Sequence, residues 1–112
     1  MEQIASVQDF DQFLSRHPRA VVKFYTTWCP DCRRIEGTYA EYAAANAHRA
    51  AFAEVNAEAV PDLAQRFDIR GVPTFLVFDR GQVVARLHSR DAKTPQQVLD
   101  FLNEALSQPA AP

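Results

Sequence analysis

The chain has 112 residues, 47% of them hydrophobic and 23% charged, with 12 basic and 14 acidic side chains and a net charge of −2. That length suits one domain with a core of its own, and the scattered, slightly acidic charge speaks against nucleic acid or an anionic membrane as partner. Only two cysteines are present, Cys29 and Cys32, and with none left for structural bridges they point to a reducing compartment such as the cytoplasm.

In chain order, Met1–Ser6 lacks the basic and apolar regions of a secretory signal, and Glu2–Ala5 reads as a short first strand. Ser6 is an N-cap with Asp9 in the first turn. Val7, Phe10, Phe13 and Leu14 recur at helical spacing until His17-Pro18 ends the helix. Residues 20–26 form a nearly continuous apolar strand, the kind buried on both faces of a sheet. A helix follows Cys29 to about His48, with Ile35, Tyr39, Tyr42 and Ala43 inward and Gly37 marking a bend or a close approach. Residues 51–56 are a third strand. Pro61 opens a short helix carrying Leu63, Ala64 and Phe67.

Residues 69–78 read as a strand in which Pro73, unable to donate, belongs at the start or at a bend. Asp79-Arg80-Gly81 is a hairpin turn, with Gln82–Leu87 as the returning strand. Thr94-Pro95-Gln96-Gln97 is a capping box that starts a last amphipathic helix with Val98, Leu99, Leu102 and Leu106 inward. A single domain over residues 1–107 and a disordered tail over 108–112 are expected. The order βαβαβαββα makes the fold class α/β, a mixed sheet flanked by helices on both faces.

The chemistry lies in Thr27-Trp28-Cys29-Pro30-Asp31-Cys32, at a strand-to-helix junction. Two thiols separated by two residues either close a small disulfide ring or act as a nucleophile and its resolving partner. The unpaired N–H groups of a helix start favour the thiolate at Cys29, and Pro30 fits the first turn, where a missing N–H costs nothing. Two cysteines are also half a zinc site, but His17, His48 and His88 lie on separate elements with no ligand spacing, so no metal is expected.

Trp28-Cys29-Pro30-Asp31-Cys32 together with Gly71-Val72-Pro73-Thr74 resembles the thioredoxin family, and the likeness runs over roughly residues 2–107. It implies a thioredoxin-like fold of four or five strands, a cis Val72–Pro73 bond beside the cysteines, and thiol–disulfide exchange with Cys29, exposed, as nucleophile and Cys32, less exposed, as resolving thiol. Trp28, Pro30, Asp31, Val72 and Pro73 would then form the substrate rim, with Val72 backbone groups pairing to an extended segment.

Three departures stand out. Pro-Asp separates the cysteines in place of Gly-Pro, so that Asp31 either opposes a nearby thiolate or stabilises the helix start. Lys23 stands where the family carries a buried Asp, and Glu54 where it carries the facing lysine. The pair is therefore inverted in sign, either catalytic, with Glu54 or a held water taking the Cys32 proton, or a structural ion pair. Ser89 stands where members often have a glycine, with His88 and Arg90 beside it, and would narrow the substrate groove; His88 itself reads as a surface residue.

The resulting expectation is a monomeric, cytoplasmic reductase of protein or small-molecule disulfides with no organic cofactor, reset by an external reductant such as a thioredoxin reductase or glutathione. Its potential would lie at about −230 to −270 mV. The alternatives are a more oxidising oxidase or isomerase, and a redox-silent module that uses the fold as a scaffold.

Overall fold

The computed structural model describes residues 1–109. Five strands, β1 (Glu2–Ile4), β2 (Arg19–Tyr25), β3 (Ala51–Asn56), β4 (Thr74–Asp79) and β5 (Gln82–Leu87), alternate with helices α1 (Val7–Arg16), α2 (Pro30–Ala45), α3 (Pro61–Arg66) and α4 (Pro95–Ser107). The sheet order is β1-β3-β2-β4-β5. β3 runs parallel to β1 and β2, β4 is antiparallel to β2 and β5, and the sheet is therefore mixed.

Period-two alternation divides the core between the two faces. Val21, Phe75 and Val77 pack with Ile35, Tyr39, Phe52, Val98 and Leu102 beneath α2 and α4. Ala20, Val22, Phe24, Leu76 and Phe78 pack with Phe10, Phe13 and Leu63 beneath α1 and α3. Phe10 and Phe13 are about 1% exposed, and each contributes roughly 1.5–3 kcal/mol relative to an exposed position. The same alternation turns Lys23 to the α2 face along with Val21, a charged side chain aimed into an apolar layer.

Helix starts follow the local chemistry expected of them. Ser6 Oγ accepts from the Asp9 N–H at 3.0 Å, and Thr94 with Gln97 forms a full capping box. The hairpin turns on Arg80 and Gly81, with φ of 52° and 83°, the two positive values that a tight two-residue connection demands.

Three expectations are corrected. α2 ends at Ala45, where the Asn46 side chain and backbone both bond the Tyr42 carbonyl. Gly37 is exposed and a Cβ there would meet nothing within 4 Å, so it is no close approach, and α2 runs through it unbroken. β4 starts at Thr74, not Ile69, because residues 69–73 form an irregular loop around the cis Val72–Pro73 bond. Past α4, Arg19 Nη2 donates to the Gln108 carbonyl; residues 110–112 of the tail expected to be disordered lie outside the described residues.

Candidate active site

β2 is the middle strand, and its C-terminal end delivers Thr26–Cys29 to the start of α2. Cys29 is the N-cap of that helix: its Sγ accepts from the Cys32 N–H at 3.2 Å. A sulfur in this position receives a backbone hydrogen bond at the positive end of the helix dipole. When protonated, the same Sγ donates to the Val72 carbonyl at 3.5 Å.

The expected difference in exposure between the two cysteines is absent, for Cys29 and Cys32 are each 4% exposed. The 69–73 loop accounts for this, because its Val72 carbonyl sits directly on Cys29. What separates the two thiols is the opening each one faces. Cys29 lies in a front groove of about 370 Å³ walled by Thr26, Trp28, Pro30, Asp31, Ile69 and Val72. Trp28 stands 64% exposed on its rim, held by an Nε1 hydrogen bond to Glu58 at 2.7 Å. Pro73 is buried and is not part of the wall.

Cys32 faces a separate back cleft of about 440 Å³ whose lining includes Lys23, Tyr25, Thr26, Glu36 and Glu54. Burial chiefly, and then the neighbouring Cys29, push the Cys32 thiol up to about 12, against a backbone hydrogen bond from Thr26 and the Lys23 charge, which pull it down. Lys23 and Glu54 meet as the inverted pair requires. They are register partners across β2 and β3, with Nζ–Oε2 at 2.8 Å and side chains 3% and 19% exposed. The ammonium also sits 5.2 Å from the Tyr39 ring centre and 5.3 Å from that of Tyr25, and Gln3 donates to the other Glu54 oxygen. A buried ammonium is costly unless paired; here one carboxylate and two ring faces compensate it.

Asp31 does not confront the sulfurs with a free charge. Its carboxylate is bound by Arg34 one turn along α2 and by Lys93 at 3.4 Å, and the Arg34 hydrogen bond leads the causes that hold it below its ordinary value. Arg34 also donates to the Lys93 carbonyl at 3.0 Å, tying α2 to the segment before α4. Ser89 packs against Gly71, where an added Cβ would lie 2.2 Å from Ser89 Oγ and 3.1 Å from its Cβ. Ser89 itself lines the neighbouring opening and not this groove.

Sequence reasoning missed Thr26, Glu58, Arg34 and Lys93. Thr26 lines both openings and its Oγ1 is buried without a hydrogen-bond partner among the described residues. Arg34 was visible as an i,i+3 partner of Asp31, whereas Lys93 and Glu58 are brought in from distant segments.

The family model described as Thioredoxin matches residues 2–104. The chain is 39% identical over 83 residues to thioredoxin-2 of Pyricularia oryzae, covering 72% of this chain and 47% of that protein. It is 35% identical over 107 residues to protein disulfide isomerase-like 1-4 of Oryza sativa, covering 93% of this chain and 18% of that protein. The chain thus spans less than half the length of these curated relatives. Among solved structures, Plasmodium falciparum thioredoxin superposes with a TM-score of 0.85 at 23% identity, covering 93% of this chain and 98% of that one.

Proposed function

Since this chain belongs to the thioredoxin family and carries the dithiol of a thiol–disulfide oxidoreductase, we propose that it reduces disulfides by two successive exchanges at Cys29 and Cys32. In the first, the Cys29 thiolate attacks one sulfur of the substrate disulfide. A Cys29–substrate bond forms, the substrate S–S bond breaks, and the departing thiolate takes up a proton. In the second, Cys32 loses its proton and attacks Cys29 Sγ. The Cys29–Cys32 bond forms and the second substrate thiolate leaves, so that two electrons have passed to the substrate. An external reductant such as a thioredoxin reductase or glutathione returns the pair to the dithiol.

The observation that carries this reading is the sulfur at the N-cap, with the Cys32 N–H at 3.2 Å and the Val72 carbonyl at 3.5 Å on the floor of an open groove. The second exchange requires a proton to leave a thiol that burial holds near pKa 12. Glu54 is the acceptor in this reading, through the back cleft, and Lys23 stabilises the Cys32 thiolate as it forms. Trp28, Pro30, Asp31 and Val72 make up the substrate rim, with Val72 backbone groups pairing to an extended segment and Pro73 buried beneath it. Residues 1–107 act as one domain, a monomer, without an organic cofactor. The cytoplasm suits a pair of thiols with no structural disulfides, and no helix among the described residues is long and apolar enough to cross a membrane.

The test is the reduction potential of the pair, equilibrated in dithiol and glutathione buffers. A value of about −230 to −270 mV is expected; one of about −120 to −180 mV would make the protein an oxidant or isomerase instead.

A further inference from the structure

Beside the front groove lies a third opening, about 480 Å³, lined by Asp68, Arg70, Gly71, Thr74, Arg86, His88, Ser89 and Arg90. It shares Arg70 and Gly71 with the groove that holds Cys29, so the two openings form one continuous surface. Three arginines and one acidic residue line it. We propose that Arg70, Arg86 and Arg90 form a carboxylate-binding shelf on this side of Cys29, and that the preferred substrates are disulfides in extended protein segments with an acidic side chain on that side of the cysteine. The inference rests on the reductase reading above and names its substrate class.

The charges on the shelf are available. Among the described residues Arg70 and Arg90 pair with surface neighbours, Asp68 at 3.0 Å and Asp91 at 3.7 Å, with side chains from 60% to 84% exposed. Exposed pairs of this kind hold weakly and exchange readily for an incoming carboxylate. Arg86 is set differently. Its Nη2 donates to the Phe67 carbonyl at 2.7 Å, which fixes the guanidinium at the floor, and a fixed planar fork suits a carboxylate better than a loose ammonium would. Ser89, seated over Gly71, presents a hydroxyl between the shelf and the groove.

Direction follows from the other end. Across the groove Trp28 is bonded to Glu58, while the Asp31 carboxylate is already engaged by Arg34 and Lys93. An acidic residue beside Trp28 would meet the Glu58 carboxylate, and like charges brought together reject a partner as effectively as opposite charges attract one. The shelf therefore selects which side of the substrate cysteine carries the acid, as well as the sign of the charge.

The test uses matched peptide disulfides in which one residue, a few positions before or after the cysteine, is Glu or Gln, turned over with dithiothreitol as recycling reductant. For one of the two positions, kcat/KM for the Glu peptide exceeds that for the Gln peptide by about tenfold at low salt, a ratio that shrinks as salt rises. In Arg70→Gln/Arg90→Gln the ratio falls toward one, and in Arg70→Lys/Arg90→Lys part of it returns. A binding measurement separates this from the chemistry. Trp28 is the sole tryptophan, and its fluorescence reads the affinity of the same peptides with Ser in place of Cys. Selective binding without turnover would overturn the reductase reading and leave the shelf standing. A ratio of one at both positions, by turnover and by fluorescence, or a ratio that survives Arg70→Gln/Arg90→Gln, overturns the shelf.

Discussion

The two sulfurs of this site are equally buried and belong to one turn of helix, yet they open on different surroundings. Cys29 looks into a groove whose rim holds an exposed indole and whose floor supplies a backbone N–H and a backbone carbonyl. Cys32 looks into a cleft lined by Lys23, Glu54, Glu36 and Tyr25, with burial holding its proton on. Equal solvent exposure thus hides unequal surroundings. At the front, backbone hydrogen bonds hold the Cys29 sulfur at the helix start, whereas at the back desolvation keeps the Cys32 proton on and the Lys23 charge works against it.

The strongest way to break that comparison is to remove each sulfur in turn. Cys29→Ser should abolish turnover, while Cys32→Ser should stop after the first exchange and accumulate a substrate adduct visible by mass spectrometry. Native-like turnover by Cys32→Ser would end the division of labour.

Next is the proton on Cys32. In Cys29→Ser, burial remains the main cause of its raised pKa, so alkylation by iodoacetamide at pH 8 should be more than about tenfold slower than for an ordinary thiol near pKa 9. The rate should still be climbing at about pH 10; a plateau below pH 9 would contradict a protonated back thiol. The linkage has a definite sign. Because folding favours the protonated form, the reduced protein is most stable below about pH 9 and loses stability from there towards pH 12.

The back pair and the front wall come next, read by urea unfolding. Glu54→Gln strands a buried ammonium and should cost about 1–3 kcal/mol, between the ranges for exposed and buried pairs. Lys23→Met should cost less, because the carboxylate left behind reaches solvent. If Glu54 is also the proton acceptor, Glu54→Gln alters the rate of mixed-disulfide resolution across about pH 6–9; an unchanged rate leaves the pair structural. Gly71→Ala should cost about 1–3 kcal/mol by overpacking against Ser89, and Ser89→Gly should recover most of it.

The smallest effect should come from Asp31→Asn. With its carboxylate engaged by Arg34 and Lys93 and held below its ordinary value, Asp31 should introduce no inflection into activity between about pH 5 and 8. The substitution should leave the reduction potential in place. A shift of tens of millivolts would mean that the carboxylate acts on the sulfurs after all.

Local signals carried much of this molecule. Ser6, Pro30, Thr94 and Gln97 announced their helix starts, and the alternation in β2 and β4 announced a sheet covered on both faces. The inverted pair was legible through the family resemblance, which places Lys23 and Glu54 opposite one another, and through the cost of burying a lone charge. What could not be read depends on segments far apart in the chain. The burial of Cys29 is imposed by the 69–73 loop, the neutralisation of Asp31 needs Lys93, and the anchoring of Trp28 needs Glu58. Gly37 misled because glycine within a helix has two uses, and here it simply faces outward.

β2, from whose end the cysteines are hung, is hydrogen-bonded on both sides, to β3 and to β4. Its amides therefore exchange with deuterium only when most of the domain opens, whereas those of β1 and β5 at the sheet edges exchange through fraying. The redox pair is thus mounted on an interior strand, bonded on both sides as β3 and β4 also are. Edge strands can breathe through many cycles of reduction and oxidation without the spacing of the two sulfurs being disturbed.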